Sequence, residues 1–214
     1  MVWRVLRFGR TAMNVGVLAS GTGTNLQALI DRVHGRDGVR IVAAASDRPE
    51  APALDRARTE GIPDRAFPGA EHSDRAARDG AMAAWLAEQD VELVVLAGYM
   101  QLLSRAFLDD FPERVINVHP ALLPAFPGLH AVQQAIDYGV KVFGVTVHFV
   151  DGGVDTGAVI LQRSIELPAG ADAATALELL RPLEHELLPE AVRLFAAGAV
   201  RVDPANPRRI LIAR

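Results

Sequence analysis

The sequence predicts an α/β fold: a doubly wound, mostly parallel sheet with helices on both faces. Short runs of apolar and β-branched residues alternate along the chain with stretches that have the 3.6-residue spacing of helices. The strand-like runs at residues 14–19 and 91–97 are mostly apolar, so both of their faces are expected to be buried. Strands that alternate with helices in this way are typical of parallel sheets covered by helices.

The composition is that of a globular domain of ordinary polarity. The chain has 214 residues, of which 50% are hydrophobic and 22% are charged, and this is enough for one sizeable core. The net charge of −4, without a long basic block, argues against a nucleic-acid partner. The absence of cysteine excludes disulfides and thiolate chemistry and fits the reducing cytoplasm. No apolar run is long enough to span a bilayer, so we expect a cytoplasmic protein without a membrane partner.

The predicted elements follow in order from Met13. Residues 1–12 are predicted to be a dispensable extension, because arginines interrupt their apolar residues as no secretory signal would allow. Strands are expected at residues 14–19, 40–46, 91–97, 115–119, 141–150 and 158–167. Helices are expected at residues 26–33, 53–60, 73–89, 104–110, 130–138 and 172–197. Ser73 is placed to cap the third helix and Gly139 to end the fifth, while Pro182 and Pro189 predict a kink or split in the last.

A polar pair marks the end of the strand at 115–119. Asn117 and His119 lie two residues apart, so their side chains point to the same face of the strand. They lie where the strand ends, and open α/β sheets bind their ligands at the carboxyl ends of strands. The alternative is a hydrogen-bonded pair within the core.

The loop at residues 20–25 has the strand–turn–helix context of a phosphate site. Such a loop presents backbone N–H groups at a helix N-terminus. It lacks the third glycine of a dinucleotide fingerprint, because Leu26 occupies that place, and it lacks the Gly-Lys-Ser/Thr of a P-loop. A single phosphate on a small metabolite suits it best, and a tight turn without a ligand is the alternative.

The glycine-rich loop at residues 151–157 is expected to bring Asp155 to the same sheet edge. A carboxylate beside His119 would favour the protonated imidazole and fix the orientation of the ring. His148 either lines this site or is a packed structural residue. A metal held by these three side chains is conceivable, but no compact ligand pair supports it and none is expected.

Four stretches together resemble the folate-dependent glycinamide ribonucleotide formyltransferases of purine synthesis. They are Ser20–Ala28, Val95–Met100, Ile116–Pro120 and His148–Asp155, in the family's order and spacing. The resemblance implies transfer of a formyl group from 10-formyltetrahydrofolate, as co-substrate, to the amine of 5′-phosphoribosylglycinamide. It also implies one domain over residues 13–214, with a phosphate-binding half at 13–112 and a folate-binding, catalytic half at 113–214.

The resemblance also assigns site residues. By the family's pattern, Asn117, His119 and Asp155 are catalytic: the first two would stabilise the oxyanion of a tetrahedral intermediate, and Asp155 would keep His119 protonated. The ribonucleotide site would be formed by Gly23, Thr24, Asn25 and Glu184. The folate site would be formed by Arg75, Met100, Gln101, Leu102, Leu103 and Asn117.

Two departures and two rival functions remain open. The family often has a serine where this chain has Ala121 and a basic residue where it has Gln101, so Gln101 fits the folate site only if it acts through its backbone. The rivals are a formyltetrahydrofolate deformylase, which passes the formyl group to water, and a binding module without turnover. The deformylases typically have an extra N-terminal domain, for which residues 1–12 leave no room. We expect a monomer or homodimer with small-molecule partners.

Overall fold

The computed structural model describes residues 4–5 and 12–213. Its strands are β1 (Arg4–Val5), β2 (Met13–Leu18), β3 (Val39–Ser46), β4 (Asp64–Ala66), β5 (Leu93–Leu96), β6 (Val115–His119), β7 (Val142–Phe149), β8 (Val159–Glu166), β9 (Val200–Asp203) and β10 (Asn206–Ile212). Its helices are α1 (Thr24–Val33), α2 (Pro52–Thr59), α3 (Arg75–Glu88), α4 (Arg105–Asp110), α5 (Ala131–Tyr138) and α6 (Ala173–Ala196).

The main sheet has the predicted architecture. Within the described residues it has seven strands in the order β4-β3-β2-β5-β6-β7-β8. The pairs from β4 to β6 are parallel, and β7 and β8 pair antiparallel. The doubly wound, mostly parallel sheet is therefore confirmed. Its strand order reverses between β2 and β5, and ligands of such sheets bind outside the carboxyl ends of the strands at this reversal.

The apolar strands are buried because helices cover both faces of the sheet. In β5, Leu93 and Val95 belong to a core cluster that includes residues of α1 and α6. The alternate residues Val94 and Leu96 belong to a second cluster, which includes residues of α3 and α4. Alternate side chains of β5 thus pack on opposite faces of the sheet, so both faces of this strand are apolar.

The long last helix is continuous, so of the kink or split expected at its prolines the split is wrong and the kink stays a prediction. α6 runs from Ala173 to Ala196 with Pro182 and Pro189 inside it. Each proline removes one backbone hydrogen bond. The helix nevertheless buries an apolar face that includes Leu187, Phe195 and Pro189 itself, and this packing outweighs the lost bonds. None of the helices in the described part of the chain has the length and apolar character needed to cross a membrane.

Other local expectations have mixed outcomes. Gly139 ends α5 in the left-handed conformation, as predicted. Asp74, rather than Ser73, caps α3, because its side chain accepts a hydrogen bond from the amide of Ala77. A three-stranded sheet, β1-β9-β10, was not predicted. Arg4–Val5 is its outer strand, and the rest of the extension before residue 12 lies outside the described residues.

Candidate active site

Asn117 and His119 lie at the carboxyl end of β6, close to the reversal of strand order. β6 pairs in parallel with β5 on one side and antiparallel with β7 on the other. This register places Asn117 opposite His148 and His119 opposite Thr146. His119 and His148 are buried, whereas Asn117 is partly exposed. The expected position of the pair at the sheet edge is therefore correct, and β7 adds a second imidazole beside it.

Asp155 joins these side chains from the loop after β7. Its Oδ2 accepts a hydrogen bond of 2.7 Å from the amide of Gly128 and lies 3.4 Å from Nδ1 of His119. Its Oδ1 lies 3.5 Å from Nδ2 of Asn117 and 3.5 Å from Nε2 of His148. The structure thus brings together the three residues that the sequence analysis proposed as catalytic.

The pKa of Asp155 is lowered from its ordinary value of 3.8 to about 2. Burial by itself would raise this pKa. The contact with His148, the hydrogen bond from the Gly128 amide and the electrostatic effect of the neighbouring His119 and His148 side chains together outweigh burial. Asp155 is therefore a carboxylate at neutral pH, and it can only accept hydrogen bonds.

A short loop before α5 contacts both His119 and Asp155 through its backbone. The carbonyl of Phe126 lies 2.9 Å from Nε2 of His119, and Gly128 donates to Asp155. Because a carbonyl only accepts, the proton of the neutral imidazole sits on Nε2, and the protonated ring would also donate through Nδ1 to Asp155. The sequence analysis missed both contacts, because backbone groups are the same in nearly all residue types and the sequence does not show where they lie.

Thr146 hydrogen-bonds to the backbone of the segment that follows His119. Its hydroxyl is fully buried, donates to the carbonyl of Ala121 and accepts from the amide of Leu123 and the side chain of Gln162. This was also missed, although a threonine inside an apolar strand is a signal for a buried hydroxyl that needs partners. Ala121 is completely buried and takes part through its backbone, so a side-chain hydroxyl at that position is not needed for this contact.

The predicted phosphate loop lies at the N-terminus of α1. Gly23 precedes the helix with a φ of 71°, and a Cβ there would lie 2.7 Å from the backbone of Ala53 in α2. Only glycine fits this position without moving α2. Arg56 of α2 braces the loop by donating from Nε to the carbonyl of Thr22 at 2.8 Å. The amides of the first turn of α1 have no acceptor within the helix, as a phosphate cradle requires.

Glu184 of α6 lies beside this loop. Its Oε2 accepts a hydrogen bond of 2.9 Å from Nδ2 of Asn25. Burial raises the pKa of Glu184, and the bond from Asn25 and the charge of Arg181 partly offset this. Oδ1 of Asn25 is buried and has no hydrogen-bond partner among the described residues, so the pair offers an acceptor from each side chain to a ligand. The unbroken course of α6 is what brings Glu184 to the loop.

Two cavities meet at Asn117 and Asp155. One, of about 380 Å³, is lined by these two residues and by Arg75 and Leu103 among others. The other, of about 670 Å³, is lined by the same two residues and by His119, Met100 and Leu177 among others. Tyr99, Gln101, Leu102 and Val154 line both. All the proposed folate-site residues therefore line one or both cavities.

The side chain of Gln101 is bound to the protein itself. Its Nε2 donates to Asp47 at 2.9 Å, and its Oε1 accepts from Arg78 at 3.3 Å. Arg78 also donates to Asp79 and to the carbonyl of Leu102, and Oδ2 of Asp79 accepts from the amide of Ser104. The segment from Gln101 to Ser104 is thus anchored at both ends. With the carboxamide of Gln101 engaged in this way, its backbone is the part left for a ligand.

The buried Arg78–Asp79 ion pair is a further feature that the sequence analysis missed. The side chains are 5% and 0% exposed. They lie on the helical face that also contains Met82 and Leu86, so two charges on an apolar face were the available signal. Across residues 4–5 and 12–213, no group of three histidine or carboxylate side chains could hold a metal ion.

Comparison with known proteins identifies relatives along most of the chain. Residues 13–192 match the family model described as formyl transferase. The phosphoribosylglycinamide formyltransferase of Mycobacterium tuberculosis is 44% identical over 186 residues, which are 87% of this chain and 86% of that protein. The trifunctional purine biosynthetic protein adenosine-3 of Bos taurus is 41% identical over 189 residues, which are 88% of this chain but only 19% of that protein.

A solved structure shares the whole fold. Glycinamide ribonucleotide transformylase 1 from Symbiobacterium toebii superposes with a TM-score of 0.92 at 43% identity, and the match covers 97% of each chain. Since the similarity extends beyond residues 13–192, the C-terminal strands β9 and β10 are included in the shared fold.

Proposed function

The chain belongs to the formyl transferase family, and from this we propose that it transfers a formyl group from 10-formyltetrahydrofolate to the amine of 5′-phosphoribosylglycinamide. The observation that carries the proposal is the grouping of Asn117, His119 and Asp155 at the carboxyl end of β6, beside two cavities that the proposed folate-site residues line. A transferase must hold two substrates so that their reacting atoms meet beside the same polar groups. The two cavities suit the folate, and the ribonucleotide is proposed to bind at the loop before α1, whose residues line neither cavity.

The formyl folate fits the side of the site formed by the 99–103 segment. Met100 and Leu102 are 54% and 55% exposed, which gives an apolar surface for a flat ring system. Backbone groups of the same segment are held in place by Arg78 and Asp79 and can hydrogen-bond to the ring edge. Arg75 lies on the rim of the smaller cavity, where its charge suits a carboxylate.

The ribonucleotide fits the loop before α1. The amides of Thr24 and Asn25 begin the helix, and a phosphate there would be favoured by the free N–H groups and by the helix dipole. Glu184 and the unpartnered Oδ1 of Asn25 are acceptors that suit the hydroxyl groups of a ribose. Gly23 is the residue that allows the close turn.

The polar trio supports the transfer itself. When bound, the folate supplies the formyl carbon and a departing nitrogen. Asn117 donates an amide hydrogen to the formyl oxygen as negative charge develops on it, and protonated His119 stabilises the same charge. Asp155 keeps His119 oriented through the 3.4 Å contact with Nδ1. A proton must leave the attacking amine and another must reach the departing nitrogen, and His119 and Asp155 lie where they can exchange both.

The test is product formation from formyl folate with and without phosphoribosylglycinamide. The proposal predicts deformylated folate only when the ribonucleotide is present. Equal amounts of deformylated folate without the ribonucleotide would identify a deformylase. No deformylated folate, whether or not the ribonucleotide is present, would identify a binding module.

A second measurement tests the phosphate loop without turnover. Phosphoribosylglycinamide at a hundredfold excess over its dissociation constant should raise the free energy of unfolding by about 2.7 kcal/mol. The dephosphorylated riboside at the same concentration should protect far less, and equal protection would contradict a phosphate site. The cytoplasmic location and the choice between monomer and homodimer stay predictions.

A further inference from the structure

The amide of Asn117 is held by two acceptor groups within the protein. Its Nδ2 lies 3.1 Å from Nε2 of His148 and 3.5 Å from Oδ1 of Asp155. The imidazole of His148 is only 2% exposed, and its other nitrogen, Nδ1, lies 2.8 Å from the carbonyl of Phe149. Three buried or partly buried polar groups therefore form one chain of contacts that ends at a backbone carbonyl.

The chemistry of these contacts fixes the position of each hydrogen. The Phe149 carbonyl only accepts and lies 2.8 Å from Nδ1 of His148, so Nδ1 carries a proton. In the neutral ring Nε2 is then unprotonated and accepts. The amide of Asn117 therefore turns its NH₂, and not its oxygen, toward Nε2 at 3.1 Å, and the same NH₂ faces the Asp155 carboxylate.

The contact between His148 and Asp155 is consistent with this arrangement. At 3.5 Å it is longer than the contact between His148 and Asn117. At neutral pH the single NH₂ of Asn117 serves both acceptors, and no second buried charge is required.

We infer that His148 is a positioning residue for Asn117, acting as the neutral Nδ1–H tautomer whose Nε2 accepts one amide hydrogen. The effect of this positioning on formyl transfer rests on the proposed function. With one amide hydrogen fixed on His148, the planar amide directs the other hydrogen, which has only the 3.5 Å contact with Asp155. The formyl oxygen can take over that weakly held hydrogen. His148 thus differs in role from His119, because it transfers no proton and holds a donor in place.

The tautomer is tested directly by nitrogen-15 NMR of the wild-type protein labelled at histidine. The sequence has six histidines, and His148→Gln identifies the His148 signals by their loss. At pH 7.5 we expect the pattern of a neutral ring protonated on Nδ1. A ring protonated on Nε2, or on both nitrogens, would overturn the inference. This readout does not depend on turnover, so it stays valid if the proposed reaction is wrong.

Two substitutions separate the two nitrogens of the ring. In His148→Asn the carboxamide can replace Nδ1 but does not reach Asn117, whereas in His148→Gln it reaches the position of Nε2 and can offer an acceptor. We expect kcat to fall about tenfold in the Asn variant, as for loss of one buried hydrogen bond, and by less than about threefold in the Gln variant. KM for both substrates should stay within about twofold, because Asn117 acts mainly in the transition state.

A double-mutant cycle tests whether His148 acts through Asn117. In the Asn117→Ala background, His148→Asn should lower kcat by less than about twofold further, because the group that it positions is gone. A full tenfold loss in that background would overturn the inference, as would equal losses in the Asn and Gln variants. Absence of formyl transfer by the wild-type protein would instead refute the proposed function and leave the NMR result to decide the tautomer.

Discussion

Replacing Asp155 by asparagine tests whether the surrounding groups hold this carboxylate in its charged form. The pKa of Asp155 is lowered from 3.8 to about 2 in the folded protein. A carboxyl group with a lowered pKa stabilises the fold above its unfolded-state pKa, and this stabilisation is lost as the pH falls through the folded-state pKa. The difference between 3.8 and about 2 corresponds to about 2 kcal/mol at neutral pH. The side chain is only 15% exposed, so solvent screening is a minor correction.

The pH dependence gives the sharper measurement. The stabilisation should be complete at pH 5, and about 1 kcal/mol of it should be lost by pH 3, midway between the two pKa values. Asp155→Asn cannot ionise and should lack this part of the pH dependence. The assay is urea unfolding of both proteins at pH 7, 5 and 3. The difference in unfolding free energy between wild type and variant should shrink by about 1 kcal/mol between pH 5 and pH 3.

A matched control comes from the next residue. Thr156→Ser keeps both the carboxylate of Asp155 and the hydroxyl that donates to Asp151, so it should retain the wild-type pH dependence. If the difference between wild type and Asp155→Asn is the same at all three pH values, the reasoning is refuted. In that case the pKa of Asp155 in the folded protein would not be lowered by Gly128, His119 and His148.

Three further predictions concern separate parts of the chain. His119→Ala should lower kcat by about 10² to 10⁴ with little change in KM, because it removes a group that acts on developing charge; steady-state kinetics that show mainly a higher KM would contradict this. Arg78→Met should lower the free energy of unfolding by about 3 to 5 kcal/mol, because it leaves Asp79 buried without its cation; urea unfolding with a loss below about 1 kcal/mol would contradict it. Deletion of residues 1–12 should leave turnover unchanged, since the family match begins at Met13, and a large loss of activity would show that pairing of Arg4–Val5 with β9 supports the site.

The main sheet could be predicted because its central strands are buried on both faces. β5 is apolar throughout and β2 is apolar apart from Asn14, as is typical of strands covered by helices on both sides. β10 lacks such a signal: most of its side chains are exposed or partly exposed, and two arginines follow its proline. β4 has three residues, which is too short for any periodicity. Strand prediction therefore succeeded for the buried central strands, whereas β4 and β10 offered no such pattern.

The site could be predicted only in part, because residue identity reports side chains and not backbone groups. The proposed phosphate loop and the proposed catalytic trio of Asn117, His119 and Asp155 have recognisable residue types and context. The groups that hold the trio in place include the amide of Gly128 and the carbonyls of Phe126 and Phe149. Any residue supplies these groups, so only the course of the chain shows where they lie.

The geometry also favours one of the two interpretations of Asn117 and His119. A structural pair at a strand end would hydrogen-bond to each other, yet in the described part of the chain no bond joins them. They meet different oxygens of one carboxylate instead: His119 lies 3.4 Å from Oδ2 of Asp155, and Asn117 lies 3.5 Å from Oδ1. Contacts of that length are weak hydrogen bonds, unlike the shorter bonds that anchor Asp155 to Gly128 and His119 to Phe126. The long contact of Asn117 with Asp155 therefore leaves an amide hydrogen beside two cavities available to a ligand, as the proposed function requires.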